Sequence, residues 1–290
     1  MTGAALVALD AAALQQRRAG SRFGAAIHYF ERLDSTSTTA FDLARSGAAD
    51  GTVVIAEAQT RGRGRLGRSW VSPPFCNLYL SVVLRPPIAA TAAPQLTLVA
   101  GVALAEVVGL WTPGATIKWP NDVLVDGRKL AGVLTEMEAD GDLVRFVILG
   151  IGVNLNSVMD DFPAELHDKA TSLRLATGAA VDRVAFADAL LARLEERYQL
   201  FLHSGFGAIR PLWEARSGLT GHVVAVDEGG RQQTGTVIGI DEDGVLLLHT
   251  ASGERRIVAG EVTVIDGYGP RRQTSAHGAR QTKDTGTTDS

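Results

Sequence analysis

Apolar and polar positions along the first half of the chain form patterns typical of alternating strands and helices. β-branched apolar runs predict buried strands, and apolar residues that recur every three or four positions predict helices. Polar residues suited to capping precede the first helix, and two prolines end the second strand. The predicted elements are an extended segment at residues 23–34, a helix from residue 34 to about residue 47, strands at 52–58 and 77–85, and a helix at 94–110.

The second half predicts hairpins, two helices and a small β domain. Asp126-Gly127 and Asp140-Gly141 are turn sequences, and Asp182 is an N-cap for a long helix. Short strands separated by polar, glycine-containing turns then follow at close spacing, which is typical of a small β-barrel. The predicted elements are strands at 123–125, 129–137 and 143–156, helices from 182 to about 200 and at 206–216, and barrel strands at 222–226, 234–240, 245–249, 255–258 and 262–265.

These elements divide the chain into four regions. We expect a short helix and linker at residues 1–22, a main domain at 23–216 and a small barrel at 217–267. Residues 268–290 hold no aliphatic residue larger than alanine and are rich in polar residues, so we expect a disordered tail.

Composition limits the classes of protein that the chain can represent. With 290 residues, 46% of them hydrophobic, the chain can bury a core, and its single cysteine, Cys76, excludes a disulfide scaffold. The net charge of −4 argues against bulk capture of nucleic acid. No basic region precedes the apolar N-terminus, and the apolar stretch at 96–111 contains Glu106 and is shorter than a membrane span of about 20 residues. We therefore expect a cytoplasmic protein without membrane contact.

A glycine–arginine loop follows the strand at 52–58. It contains a dinucleotide-type glycine spacing, but Pro73 and Pro74 follow where such a site requires a helix, so we reject a Rossmann site. Guanidinium groups bind carboxylates and phosphates, and glycine allows the backbone to approach a ligand. We favour a multiply charged anion as ligand over a solvated loop or an RNA-binding patch. The alternating residues are Arg61, Gly62, Arg63, Gly64, Arg65, Gly67 and Arg68.

Two further groups of residues suggest a site beside the sheet. Lys129 is in phase with Ala131 and Val133, so it shares a face with apolar residues, where a lysine normally has an anionic partner. Strand alternation places Gly150, Gly152 and Asn154 on one face, leaving room for a ligand. A solvated lysine, and a bulge or bend at the glycines, are the alternatives. The segment Lys118-Trp119-Pro120-Asn121-Asp122 is either an ordinary turn or part of the same site.

Taken together and in order, these motifs resemble the biotin–protein ligases, over about residues 28–265. The motifs are Asp34-Ser35-Thr36, Ala56-Glu57-Ala58-Gln59 with the loop to Trp70, Asn77-Leu78-Tyr79-Leu80-Ser81, the segment 118–122, Arg128-Lys129-Leu130-Ala131-Gly132 and Gly150-Ile151-Gly152-Val153-Asn154. The resemblance implies an α+β fold, with a mixed or antiparallel sheet and flanking helices, followed by an SH3-like barrel.

The resemblance also implies an activity and its participants. Biotin would attack the α-phosphate of ATP, supplied with Mg²⁺, giving biotinyl-5′-AMP, and a lysine of a biotin carboxyl carrier domain would then accept the acyl group. Lys129 and Arg65 would be catalytic. The biotin-binding residues would be Ser35, Thr36, Ser37, Gln59, Gly62, Arg63, Gly64, Arg65, Lys129 and Gly132. The ATP-binding residues would be Arg65, Arg68, Trp70, Asn121, Asp122 and Asn154.

Some features of this chain depart from the family pattern. Ser37 stands where the family commonly has Asn, and residues 163–175 lack the tryptophan that often stacks near adenine. The six histidines have no metal-ligand spacing, so we expect no protein-built metal site. Residues 1–22 are too short for a DNA-binding domain, so we expect no DNA binding. We expect a monomer or homodimer. A lipoate–protein ligase and a non-enzymatic RNA-associated module remain the alternative functions.

Overall fold

A seven-stranded mixed sheet organises the main domain in the computed structural model, which describes residues 7–267. β1 pairs in parallel with β2, and all other neighbouring strands are antiparallel, in the order β1-β2-β3-β7-β6-β5-β4. The strands are β1 (Ile27–Leu33), β2 (Val53–Gln59), β3 (Leu78–Leu84), β4 (Ala115–Lys118), β5 (Asp122–Val125), β6 (Arg128–Asp140) and β7 (Leu143–Val153). The mixed sheet expected from the resemblance is confirmed.

Helices cover the two faces of this sheet unequally. α3 and α5 pack against each other over a large apolar core on one face. α2 covers only part of the other face, where Ala40, Val54, Val83 and Ile148 form a small separate core. The remainder of that second face is open to a ligand. The helices are α1 (Ala11–Arg17), α2 (Thr36–Arg45), α3 (Gln95–Val108), α4 (Leu173–Thr177), α5 (Arg183–Ser204) and α6 (Arg210–Glu214).

The segment Ala90–Val108, which includes α3, is the one part of residues 7–267 that is long and apolar enough to cross a membrane. Within this segment, 67% of an apolar 18-residue stretch is buried inside the protein. The core beneath the sheet therefore accounts for its apolar surface.

The C-terminal region is a five-stranded antiparallel sheet. Its order is β11-β10-β9-β8-β12, and no pairing closes β11 onto β12 within the described residues. The strands are β8 (Val223–Asp227), β9 (Gln232–Ile240), β10 (Leu246–Thr250), β11 (Gly253–Ile257) and β12 (Glu261–Val264). All five strands predicted from the sequence are present. We call residues 217–267 the barrel domain, a name that follows the sequence prediction and does not imply a closed sheet.

Several sequence-based boundaries were wrong. The helix predicted at 206–216 is a 3₁₀ turn, Phe206–Ala208, followed by α6, because Pro211 lies in the first turn of α6 and starts a new helix there. The strand predicted to residue 156 ends at Val153. β4 and α4 were not predicted, since runs of four and five residues are too short to show a period. The predicted tail at 268–290 lies outside the described residues.

Candidate active site

The open face of the sheet carries a cavity of about 660 Å³. Under α2 this face of the sheet carries large apolar side chains, whereas at the cavity it carries Gly132, Gly150 and Gly152. A β-carbon on Gly150 would lie 2.5 Å from Ser37 Oγ, and one on Gly152 would lie 2.6 Å from Trp70 Cε2. One on Gly132 would lie 3.1 Å from the Trp70 ring. The glycine face predicted from strand alternation is therefore present, and it makes room for Ser37 and Trp70.

One end of the cavity is a chain of hydroxyl and amide groups. The Ser81 hydroxyl donates to Thr36 Oγ1 at 2.9 Å and shares a 3.2 Å hydrogen bond with Ser37 Oγ. Gln59 Oε1 accepts from the Thr36 backbone N–H at 2.9 Å and from its hydroxyl at 3.3 Å. Ser35, the N-cap of α2, is buried and lines the same cavity. This end is neutral and rich in both donors and acceptors.

The glycine–arginine loop, residues 59–70, closes on itself over the cavity. The Trp70 N–H donates to the Gly62 carbonyl at 2.9 Å, and the Gly64 N–H donates to the Arg68 carbonyl at 2.6 Å. A β-carbon on Gly62 would lie 2.5 Å from the Trp70 carbonyl oxygen, so this position needs glycine. Leu66 lies at the tip with a φ of 56° and a 71% exposed side chain.

The four arginines of the loop have four different partners, which the sequence could not assign. Arg61 pairs with Asp34, Arg63 with Glu136, Arg65 with Asn121 and Arg68 with Glu261. The Arg63–Glu136 pair is bidentate, at 2.9 and 2.6 Å. Arg63 therefore holds the loop to β6, and its guanidinium is already engaged. Arg63 also lines the cavity, and its contact with biotin stays a prediction.

Arg65 differs from the other three loop arginines. It makes no ion pair with a carboxylate in residues 7–267, and it reaches Asn121 Oδ1 with a single 3.2 Å hydrogen bond. Burial lowers the pKa of its guanidinium, although arginine stays charged at any ordinary pH. A half-buried cation with few partners is available to a ligand's phosphate or carboxylate.

Lys129 faces the cavity, but for a different reason than the sequence suggested. The pairing of β5 with β6 shifts between Val123, opposite Ala131, and Leu124, opposite Lys129, so Leu130 is an extra residue. This bulge removes Lys129 from the face of Ala131 and Val133, which are core residues, and the predicted phase was wrong. The anionic partner that we expected is present, since Lys129 Nζ lies 2.7 Å from Asp122 Oδ1.

Lys118 is a second lysine of this end of the cavity. Burial lowers the pKa of its ammonium group, and the nearby Asp122 carboxylate opposes that effect. Lys118, Asn121 and Asp122 all line the cavity, because the short β4 and β5 carry the segment 118–122 to its edge. The cavity therefore has a cationic end built by Arg65, Lys118 and Lys129.

Trp70 connects the loop to this cationic end. Lys129 Nζ lies 5.3 Å from the centre of the Trp70 ring, within cation–π range. The Trp70 indole N–H is buried and has no hydrogen-bond partner, and Asp122 Oδ1 has only its ion pair with Lys129. Unpartnered buried polar atoms at the edge of a cavity are suited to a polar ligand.

Comparison with known proteins decides the family. Residues 29–154 match the biotin/lipoate A/B protein ligase family, and residues 221–264 match the biotin protein ligase C terminal domain. The bifunctional ligase/repressor BirA of Bacillus subtilis is 41% identical over 81% of this chain and 72% of that protein. The biotin–[acetyl-CoA-carboxylase] ligase of Mycobacterium tuberculosis is 36% identical over 88% of this chain and 95% of that protein.

A solved structure agrees in fold as well. The biotin protein ligase from Aquifex aeolicus, in complex with biotin and ATP, has a TM-score of 0.72 and 32% identity, covering 83% of this chain and 98% of that one. This chain belongs to the biotin protein ligase family. The expected class of reaction, ATP-dependent ligation of biotin to protein, is thereby confirmed, and so is the class of fold.

In this biotin protein ligase, two of the residues predicted to bind ATP, Asn154 and Arg68, have partners within the protein. The Asn154 amide donates to the Thr171 carbonyl at 3.1 Å, so its nitrogen is already used within the protein, although the residue lines the cavity. Arg68 pairs with Glu261 of the barrel domain. No group of three or more His, Cys, Asp or Glu residues that could hold a metal occurs in residues 7–267.

Sequence reasoning missed several residues of the ligase cavity. Ser81, which belongs to one of the resemblance motifs but was given no role, is not among the lining residues and supports Thr36 and Ser37 by hydrogen bonds. Glu261, Thr263 and Val264 of β12 line the cavity, and no pattern in the sequence links them to the loop. The barrel domain is therefore one wall of the site.

Proposed function

We propose that the two ends of the cavity divide the substrates between them. Biotin has a cyclic urea at one end and a carboxylate at the other, and these match the neutral hydroxyl end and the cationic end. Ser35, Thr36, Ser37 and Gln59 bind the urea. Gly132, beside the Trp70 ring, lines the pocket for the biotin rings, and Lys129 receives the carboxylate. The observation that carries this proposal is the change from hydroxyl and amide groups to cations along one cavity.

The cationic end binds the triphosphate of ATP. Arg65 and Lys118 are the half-buried cations available for phosphate oxygens, and Trp70 covers the same space. The oxygens of Asn121 and Asp122 suit Mg²⁺, which prefers oxygen ligands and usually arrives with the phosphates. Bound Mg²⁺ would neutralise charge on the phosphates. Asp122 Oδ1, whose one partner is the Lys129 ammonium, supports this assignment.

The chain acts mainly by positioning two anions that repel each other. A biotin carboxylate oxygen forms a bond to the α-phosphorus of ATP as the bond to pyrophosphate breaks, giving biotinyl-5′-AMP. Lys129 stabilises the charge on the carboxylate and the α-phosphate, and Arg65 lies at the same end. The acceptor amine then attacks the carbonyl carbon, AMP leaves, and the amine loses a proton. The loop at 59–70 excludes water from the mixed anhydride.

The partner of this reaction is a biotin-accepting carrier domain. Two similar proteins, from Paracoccus denitrificans and Mycobacterium tuberculosis, are named for acetyl-CoA-carboxylase, which supports a biotin carboxyl carrier domain as acceptor. We further propose that the protein works in the cytoplasm as a monomer or homodimer, without binding DNA or membrane. The net charge of −4 supports the absence of DNA binding.

Biotin-dependent exchange of pyrophosphate into ATP tests the proposal. We expect exchange with biotin and none with lipoate, because lipoate has no urea to bond with Thr36 and Gln59. Exchange with lipoate alone would favour the lipoate–protein ligases. Salt-sensitive RNA binding without adenylate formation would favour the RNA-associated module instead. Mass spectrometry of the purified protein for bound biotinyl-AMP is an independent measurement.

A further inference from the structure

A buried hydrogen bond joins the segment 118–122 to the barrel domain. The Trp119 indole N–H donates to the Gly244 carbonyl at 3.0 Å, and the Trp119 side chain is only 4% exposed. Among side-chain hydrogen bonds between residues 7–216 and 217–267, this is the only buried one. Trp119 itself does not line the cavity, whereas Lys118, Asn121 and Asp122 of the same segment do.

The barrel presents the Gly244 carbonyl from a tightly bonded turn between β9 and β10. Asp241 Oδ1 accepts the backbone N–H groups of Asp243 and Val245, each at 2.9 Å, and Arg256 pairs with both Asp241 and Asp243. Gly244 has a φ of +82°, and a β-carbon there would lie 2.5 Å from Leu98 Cδ1 of α3. Hydrogen bonds and ion pairs within the barrel therefore stabilise the turn, and the turn packs directly against α3 of the main domain.

The barrel also supplies a wall of the cavity. Glu261 and Thr263 of β12 line it, and β12 lies at the far edge of the barrel sheet from the β10–β11 hairpin. A rotation of the barrel about its point of attachment would therefore move β12 relative to Lys118 and Asp122. Since a hydrogen bond has preferred distances and angles, the Trp119–Gly244 bond opposes such a rotation.

We propose that Trp119 is a positioning residue, which through its hydrogen bond to Gly244 sets the barrel wall against the nucleotide end of the cavity. This inference rests on the proposed division of the cavity into a biotin end and a nucleotide end. Trp119 then matters for ATP and not for biotin, because the hydroxyl end is built from α2, β2 and β3, whereas the barrel wall reaches the loop arginine Arg68 through Glu261.

The first test compares Trp119→Phe with Trp213→Phe. Phenylalanine keeps a large ring and removes the indole N–H. Trp213 is a matched control, since it is fully buried and its indole N–H has no partner. For Trp119→Phe we expect KM for MgATP to rise about tenfold, the effect of losing an interaction of about 1.4 kcal/mol, while KM for biotin stays unchanged. Hydrogen exchange at residues 261–264 should become faster. Trp213→Phe should change neither KM.

Equal rises in both KM values for Trp119→Phe, or values matching those of Trp213→Phe, would overturn the inference. If instead the wild-type protein shows no biotin-dependent exchange, the proposed function fails, which is a distinguishable result.

A second pair of variants covers the case in which Trp119→Phe does not fold. Asp241→Ala removes the acceptor that shapes the turn, whereas Asp243→Ala removes only a partner of Arg256. Neither residue belongs to the apolar core, so both variants should fold. We expect Asp241→Ala to raise KM for MgATP alone and Asp243→Ala to leave it unchanged. No difference between the two would contradict the proposed role of the turn.

Discussion

The Trp70 indole ring rests on the backbone of Gly152, so closely that a β-carbon there would lie 2.6 Å from ring atom Cε2. This contact joins a loop residue to the central strand β7 of the sheet. It also places the ring 5.3 Å from Lys129 Nζ. The position of the loop over the cavity therefore depends on the absence of a side chain at Gly152.

Gly152→Ala should displace Trp70 without unfolding the sheet, because its neighbours Ile151 and Val153 face the opposite core. We expect adenylate formation to fall by about 100-fold, since a shift of about 1 Å in a site of this kind has that effect. Pyrophosphate exchange measures the rate. Gly207→Ala is the control, because a β-carbon there meets no atom within 4 Å. Unchanged exchange in Gly152→Ala would refute the role of this contact.

Lys129→Ala should suppress adenylate formation and leave the fold intact. The lysine side chain is 35% exposed and contributes charge at the cavity rather than core packing. Loss of one group that stabilises the transition state lowers kcat by about 100- to 1,000-fold. Exchange kinetics and a thermal melt measure the two effects. Lys169→Ala, at an exposed lysine on the rim of the same cavity, serves as control. Wild-type turnover in Lys129→Ala would exclude the catalytic assignment.

Lys118 should make the use of ATP sensitive to alkaline pH. Because burial lowers its pKa below the ordinary value of 10.5, the ammonium loses its proton at a lower pH than a free lysine does. A neutral amine attracts phosphate weakly, so kcat/KM for MgATP should decline as pH rises through that lowered pKa. The pH profile of kcat/KM reports groups of the free enzyme. In Lys118→Arg the charge persists, and the decline should disappear. The same decline in both proteins would assign it to another group.

The Glu57–Arg183 pair should dominate the stability of the N-terminal segment. Glu57 is fully buried, with Arg183 Nη2 at 2.7 Å, and it also accepts hydrogen bonds from Tyr29 and the Leu9 N–H. Breaking a buried pair leaves an uncompensated charge, so Glu57→Gln should lower the free energy of unfolding by about 3–5 kcal/mol.

Urea denaturation measures this loss. Glu214→Gln is the matched control, because it breaks the exposed Arg210–Glu214 pair, where about 0.3–0.5 kcal/mol is expected. Similar losses in the two variants would show that burial of Glu57 has little energetic consequence.

Local patterns predicted well those features that depend on local geometry. Gly150 and Gly152 were placed on one face because β7 alternates without interruption through them. The same rule failed at Lys129, where the extra residue Leu130 inverts the alternation. A bulge of this kind depends on how β6 pairs with β5, and the residues of one strand do not reveal it.

The sequence alone determined most of the strands and helices in their order, although not the short β4 and α4. It also determined the glycine–arginine loop and the motifs that carry the family resemblance, because each depends on residues close together in the chain. Tertiary structure alone decided that Lys129 meets Asp122 and that Arg63 is held by Glu136. It also decided that Glu261 forms part of the cavity wall. The physical reason is that strand register and domain packing are set by burial summed over many distant residues, which a local period does not contain.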